Sequence, residues 1–143
     1  MELNIITDCT EAQVNKVVKV TEITVAAVRN GKYIFVKQRG KGTMELPGTS
    51  INSGENAAKA AKRLLEEMIG AKDYGIQFVC PYSASEDKAI NYGILYRAEI
   101  ISMGEFPHSG LAGVYYLNDP PEGDDKWSCP DKDKPLFEAA FRK

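Results

Sequence analysis

The spacing of apolar and polar positions lays out most of the chain before any residue is given a role. Residues 23–28 (Ile-Thr-Val-Ala-Ala-Val) and 33–38 (Tyr-Ile-Phe-Val-Lys-Gln) are apolar runs rich in β-branched side chains, and Arg29-Asn30-Gly31-Lys32 lies between them. Asn-Gly supplies the two positive-φ positions of a tight turn, so this stretch predicts a hairpin. Gly40-Lys41-Gly42-Thr43 then reads as a loop, followed by Met44-Glu45-Leu46-Pro47-Gly48 and a second loop from Thr49 to Gly54. A helical pattern runs from about Glu55 to Ile69, with alanine at 57, 58, 60 and 61. Asn52 or Ser53 suits its N-cap, Glu55 its positive end, and Gly70 its stop.

Beyond the helix, Gly75 to Cys80 reads as a strand. Tyr92 to Ile101 alternates, with Tyr92, Ile94, Tyr96, Ala98 and Ile100 on one face and Arg97 and Glu99 on the other. Val114 to Leu117 is a short strand, 118–133 reads as loop, and a closing amphipathic helix turns Leu136, Phe137, Ala140 and Phe141 inward. Ala12 to Val20 fits a strand or a helix. Hairpin-linked strands around a central helix predict a mixed sheet with helices packed on it. The 143 residues, without repeat or linker, suit a single domain spanning 1–143.

Charge narrows the partners. A net charge of −2 gives no long-range pull toward nucleic acid or an anionic membrane. No stretch approaches the ~20 apolar residues of a membrane span. Cys9, Cys80 and Cys129 are odd in number and widely spaced, which is no disulfide framework. With no basic and apolar leader at Met1-Glu2-Leu3-Asn4, the expectation is a cytoplasmic protein. Lys37, Arg39 and Lys41 form either a cationic lip for phosphate or a solvated hairpin end. Tyr92, Tyr96, Tyr115 and Tyr116 are candidates to stack a base, although aromatics at strand spacing more often fill a core. His108 is the sole histidine and has no metal-binding companions nearby in sequence. Trp127 suits an anchor for the acidic loop before it.

The stretch from Glu45 to Gly70 resembles the signature of the Nudix hydrolases, nucleotide pyrophosphohydrolases that share a loop–helix–loop box. Glu55 is followed by seven residues and then Arg63, and Gly70 falls seven further on. Glu45-Leu46-Pro47-Gly48 is similar to the usual lead-in, Gln38-Arg39 to the hairpin end, and Tyr92-Gly93-Ile94-Leu95-Tyr96 to a later strand in bacterial members. The resemblance covers residues 20–140. It implies an α+β fold, an α-β-α sandwich with a mixed sheet flanked by helices. It implies hydrolysis of a nucleoside diphosphate-linked substrate with Mg²⁺ or Mn²⁺, and admits a homodimer. Arg39, Lys37, Glu45, Gly48 and Tyr96 become the substrate-binding candidates, and Glu55, Arg63 and Gly70 the residues that order the box.

The box departs from the signature where metal chemistry resides. Its first glycine is Thr49, the acid after the arginine is Leu64, the second of the paired glutamates is Met68, and the last aliphatic is Ala71. On an α-helix of about 100° per residue, positions 64, 67 and 68 share a face at about 0°, 300° and 40°. That face keeps one acid, Glu67, where Mg²⁺ wants hard oxygen ligands. Glu67 is then the metal ligand and catalytic candidate. Glu66 is its neighbour, rotated to the side and alternatively paired with Lys62. The segment 106–113 offers no acid, with Glu105 just before it. Three functions follow: a slow metal-dependent hydrolase, a binding module for a nucleotide-like small molecule, or an interaction protein in which Leu64 and Met68 fill the cleft. On the first, Leu64→Glu with Met68→Glu recovers metal binding.

Overall fold

The computed structural model describes residues 1–104 and 111–141, with the side chains of residues 111 and 112 outside the description. Glu105 and His108 therefore lie outside the described residues. The elements run β1 (Glu2–Ile5), α1 (Glu11–Val17), β2 (Val20–Arg29), β3 (Lys32–Gln38), β4 (Gly48–Ser50), α2 (Ala57–Arg63), β5 (Ala71–Glu86), β6 (Ala89–Met103), β7 (Leu111–Leu117) and α3 (Pro130–Phe141). A π-helical segment, Leu64–Ile69, continues α2, and a 3₁₀ turn covers Asp124–Lys126.

Seven strands form one mixed sheet in the order β1-β5-β6-β2-β3-β7, with β4 paired to β2 off that path. Two hairpins build most of it. In the first, Arg29 pairs with Lys32 across Asn30 (φ 52°) and Gly31 (φ 75°), the two left-handed positions that the sequence predicts. In the second, Asp87 (φ 51°) and Lys88 (φ 71°) turn β5 into β6, so the two strands predicted as short pieces are long arms of one ribbon. The hairpins meet along β2 and β6, which run parallel with Val25 opposite Tyr96.

Alternation along the strands feeds a core on each side of the sheet. One face carries Ile23, Val25, Ala27, Ile34, Ile94, Tyr96, Ala98 and Ile100 against Ala57, Ala60, Leu64, Leu65 and Ile69 of the long helix, with Val14 of α1 beside them. The other carries Ala26, Phe35, Tyr82 and Leu95 against Leu136, Phe137 and Ala140 of α3. Burial of these apolar side chains is what holds the two layers to the sheet. The inward set foreseen for the closing helix holds, but α3 starts earlier than the sequence suggested. Pro130 is its first residue, where a missing N–H costs nothing, so residues 130–133 are helix rather than loop. The ambiguous N-terminal stretch is helical through Val17, started by Thr10. The Thr10 hydroxyl accepts from the Gln13 N–H while the Gln13 side chain accepts from the Thr10 N–H. The N-cap of α2 is Asn56, whose side chain accepts from Lys59 N at 2.8 Å, and neither Asn52 nor Ser53 fills that role.

Gly93 marks one close approach. A Cβ there would stand 2.3 Å from Cζ of Tyr82, its cross-strand partner. The Tyr82 ring is fully buried and its hydroxyl is held by two partners, so the ring has nowhere to move. Gly93→Ala is expected to cost about 2 kcal/mol in urea unfolding, the usual scale for overpacking. Among the described residues no helix is long and apolar enough to cross a membrane.

Candidate functional site

The box loop is ordered as a unit. Glu55 accepts from Arg63 through both carboxylate oxygens, at 2.8 Å from Nε and 3.1 Å from Nη2. The same guanidinium reaches back to the Ser50 carbonyl at 2.8 Å, and Glu55 also accepts from Asn52 N at 2.9 Å. The Arg63 hydrogen bonds, followed by the Asn52 N–H, hold the Glu55 carboxyl below its usual range. Gly70 closes the segment in the left-handed region (φ 85°), with its N–H on the Leu65 carbonyl and its own carbonyl on Gly104 N. Glu55 and Arg63 thus tie the loop to the helix by contacts internal to the box, while Gly70 ends the segment and joins it to Gly104.

The remaining acids of the box do not converge. A 100° wheel places Leu64, Glu67 and Met68 together, but this segment is wound with i→i+5 bonds. The wider turn advances each residue by less than 100°, so three steps from Leu64 fall further short of a full turn while four come nearly round. Leu64 is 0% exposed in the core and Met68 packs half-buried against it, whereas Glu67 faces solvent. Glu67 therefore lies off the face that Leu64 and Met68 share, contrary to the α-helical wheel. Glu66 also points outward and accepts from the Tyr74 hydroxyl at 2.5 Å, not from Lys62. Burial and that bond raise the Tyr74 hydroxyl to about 12.

Metal chemistry asks for several oxygen ligands at one point. Among the described residues no three Asp, Glu, Cys or His side chains come together in that way. Glu55 is committed to Arg63 and Asn52, and Glu66 to Tyr74. The described residues do not fit the divalent ion that the box resemblance implies.

A cleft does exist, on the α3 side of the sheet. It has a volume of about 290 Å³, and Gln38, Lys41, Glu45 and Gly48 line it together with Lys132 and Asp133 of α3. Neither Glu66 nor Glu67 lines it, so cleft and box acids are two places. Glu45 accepts from the Gln38 amide at 3.2 Å, and its backbone bridges to Val36. Gly48 lies so close to β2 that a Cβ would sit 3.3 Å from the Ile23 carbonyl.

Beneath the cleft runs a polar network. Tyr82 donates to Glu22 at 2.7 Å and its oxygen lies 2.9 Å from the Thr24 hydroxyl, while Lys132 pairs with Glu22 at 2.8 Å. Asp133, 5% exposed, accepts from Leu46 N at 3.1 Å and so fastens α3 to the lead-in segment. Burial raises its carboxyl to about 6, against the lowering effect of the Leu46 N–H and Lys132. Desolvation lifts the Tyr82 hydroxyl well above its ordinary value. Tyr82→Phe removes the hydroxyl that donates to Glu22 and accepts from the buried Thr24 hydroxyl. It is expected to cost about 1.5 kcal/mol in urea unfolding.

The other candidates are dispersed. Lys37 stands over the Tyr115 ring, 5.0 Å from its centroid, in a separate groove with Met44, Leu117 and Lys126. Arg39 is exposed in the turn after β3. Tyr96 belongs to the core at 3% exposure, donates its hydroxyl to Glu11 and stacks edge-on with Phe78, which removes it from reach of a ligand. Trp127 anchors its loop by packing on Phe35 and donating to the Pro121 carbonyl at 3.0 Å. Sequence reasoning passed over Glu22, Thr24, Tyr82, Lys132 and Asp133. One signal was present: Asp133 precedes Leu136 and Phe137 by three and four positions, on the inward stripe of α3.

No family model matches the sequence, and none of the curated proteins matches it. Solved structures do match. Bacillus subtilis pyrophosphohydrolase BsRppH, solved as a point mutant, superposes with a TM-score of 0.78 at 19% identity, covering 96% of this chain and 86% of that one. A UDP-X diphosphatase gives 0.65 at 14% identity over 92% and 71%. The Nudix domain of Shewanella oneidensis NrtR, in complex with ADP ribose, gives 0.60 at 15% identity over 92% and 96%. With the strand order, the two-sided core and the loop–helix–loop between β4 and β5, these likenesses establish that the chain has the Nudix fold.

Proposed function

We propose that this chain binds a small nucleotide-like ligand in the cleft between β2, residues 45–48 and α3, with hydrolysis weak or absent. The observation that carries this reading is the emptied box. Leu64 is in the core, Glu66 is held by Tyr74, and Glu67 is exposed and does not line the cleft. The cleft itself keeps groups suited to such a ligand. Lys41 and Lys132 offer charge to phosphate, while Glu45 and Asp133 offer acceptors to amino or hydroxyl donors. Its volume is at the small end of ligand sites. The Nudix domain of NrtR was captured with ADP ribose, which makes that compound the first to try.

The test joins two measurements on one protein. ADP ribose and a UDP-sugar are expected to raise the melting temperature, and Lys41→Glu to abolish the rise. Phosphate release from nucleoside triphosphates and diphosphate conjugates with Mg²⁺ or Mn²⁺ is expected to stay at background. Metal-dependent turnover that disappears in Glu67→Gln would replace this reading with a working hydrolase. No ligand-induced stabilisation and no turnover would leave an interaction protein on the same scaffold.

A further inference from the structure

A second pocket lies at the opposite end of β2 from the box loop. It encloses about 220 Å³ and is lined by Arg29, Asn30, Lys32 and Tyr116. β4 pairs with β2 at Glu22–Thr24, and Arg29 is five residues further along, roughly 16 Å at strand spacing. The strand register explains why these side chains meet. Arg29 follows Val25 and Ala27 on the α2 face, Lys32 precedes Ile34 and Val36 on that face, and Tyr116 follows Val114. Arg29 and Lys32 are direct cross-strand partners, and Tyr116 pairs with Ile34 next to them.

Three observations mark this pocket as built for an anion. The Nε of Arg29 is buried and has no hydrogen-bond partner among the described residues. A buried N–H without an acceptor is uncommon enough in folded proteins to call for an explanation. Two cations sit side by side where like charges repel, and among the described residues no acid lines the pocket. Glu99, beside Val28 on β6, alternates with Ala98 and Ile100 and so projects from the opposite face. The Arg29 guanidinium lies 6.0 Å from the centroid of the Tyr116 ring, which supports the planar fork from one side.

We infer that the Arg29–Lys32–Tyr116 pocket binds a phosphate-type oxyanion, either free or as the phosphoryl group of a small ester. Such a group gives the buried Nε–H its acceptor, takes a second bond from the guanidinium fork, and relieves the repulsion between Arg29 and Lys32. The Asn30 amide adds a neutral donor at the rim. The inference is independent of the cleft on the α3 side, and the two stand or fall separately.

The experiment is a residue-resolved NMR titration of the full chain with inorganic pyrophosphate and, in a second arm, glycerol 2-phosphate. Saturable shifts are expected at the amides of Arg29, Asn30, Gly31, Lys32 and Tyr116. Affinity is expected to be about tenfold weaker in Arg29→Gln and several-fold weaker in the exposed variant Lys32→Gln, with Lys41→Glu leaving it unchanged. Response to pyrophosphate alone assigns the pocket to the free anion; response to both assigns it to the phosphoryl group of an ester. Shifts that do not saturate in either arm would overturn the proposal. So would saturable shifts that survive in folded Lys32→Gln and Arg29→Gln.

Discussion

Leu64→Glu, the change that restores the first missing acid of the box, is expected to destabilise the protein by about 4 kcal/mol without creating a metal ligand. Leu64 has no exposed surface and is enclosed by the apolar cluster of β2, β3, β6 and the long helix. A carboxylate there has neither water nor a cation, and the helix cannot turn it outward without withdrawing Leu65 and Ile69 as well. Leu64→Ala, which leaves only a cavity, is expected to cost about 3 kcal/mol. Met68→Glu sits half-buried and is expected to cost less than either. The measurement is urea unfolding of the three variants, with Mn²⁺ titration of whichever remains folded. A Leu64→Glu protein as stable as wild type that binds Mn²⁺ more tightly would mean this residue faces solvent, contrary to the structure. Burial of Leu64 thus motivates the opposite expectation to the one drawn from the α-helical wheel, that restoring both acids recovers metal binding.

Asp133→Asn is expected to stabilise the protein above pH 7 and to flatten its acid-side pH dependence. The carboxyl is raised from an ordinary 3.8 to about 6, first by burial, with Glu45 and Glu22 adding repulsion and the Leu46 N–H and Lys132 opposing. Its folded value exceeds its unfolded one, so the folded state holds a proton that the unfolded state has released between these two pH values. Stability from this group is therefore fully present below about pH 4 and is lost as pH rises through 6. The difference corresponds to about 3 kcal/mol. Asparagine keeps an oxygen for Leu46 N and discards the buried charge. Stability measured by urea at pH 5 and pH 8 is expected to fall with pH in wild type more than in the variant. Equal slopes would show that Asp133 stays ionised and solvated in the native state.

Much of the architecture was legible because periodicity is local and these segments obey it. Asn30-Gly31 fixed one hairpin, and the alternation of Ile94, Tyr96, Ala98 and Ile100 fixed the inner face of β6. The Thr10-Glu11-Ala12-Gln13 capping box was also readable, and would have decided the ambiguous start of the chain. The winding of residues 64–69 was not legible. An i→i+5 segment has no simple sequence signature, and every statement about which box residues share a face depended on it. The polar network beneath the cleft was hidden for another reason. Glu22, Tyr82 and Lys132 are distant in sequence, and only the sheet register and the docking of α3 bring them together. Tyr96 shows the converse: its strand position was right, and the burial that follows from that position excludes it from ligand contact.

The parallel seam between β2 and β6 has a kinetic consequence. Each hairpin closes over a two-residue turn, so β2–β3 and β5–β6 are assembled from near neighbours in the chain. The seam joins Val25 to Tyr96, and its entropy of closure must be met before its contacts give anything back. Docking of two preformed ribbons is then the slow event, and substitutions along that seam should retard refolding more than substitutions at either turn. The same arithmetic makes the half-assembled ribbons, each with an open strand edge, the species most exposed to sticking to another copy.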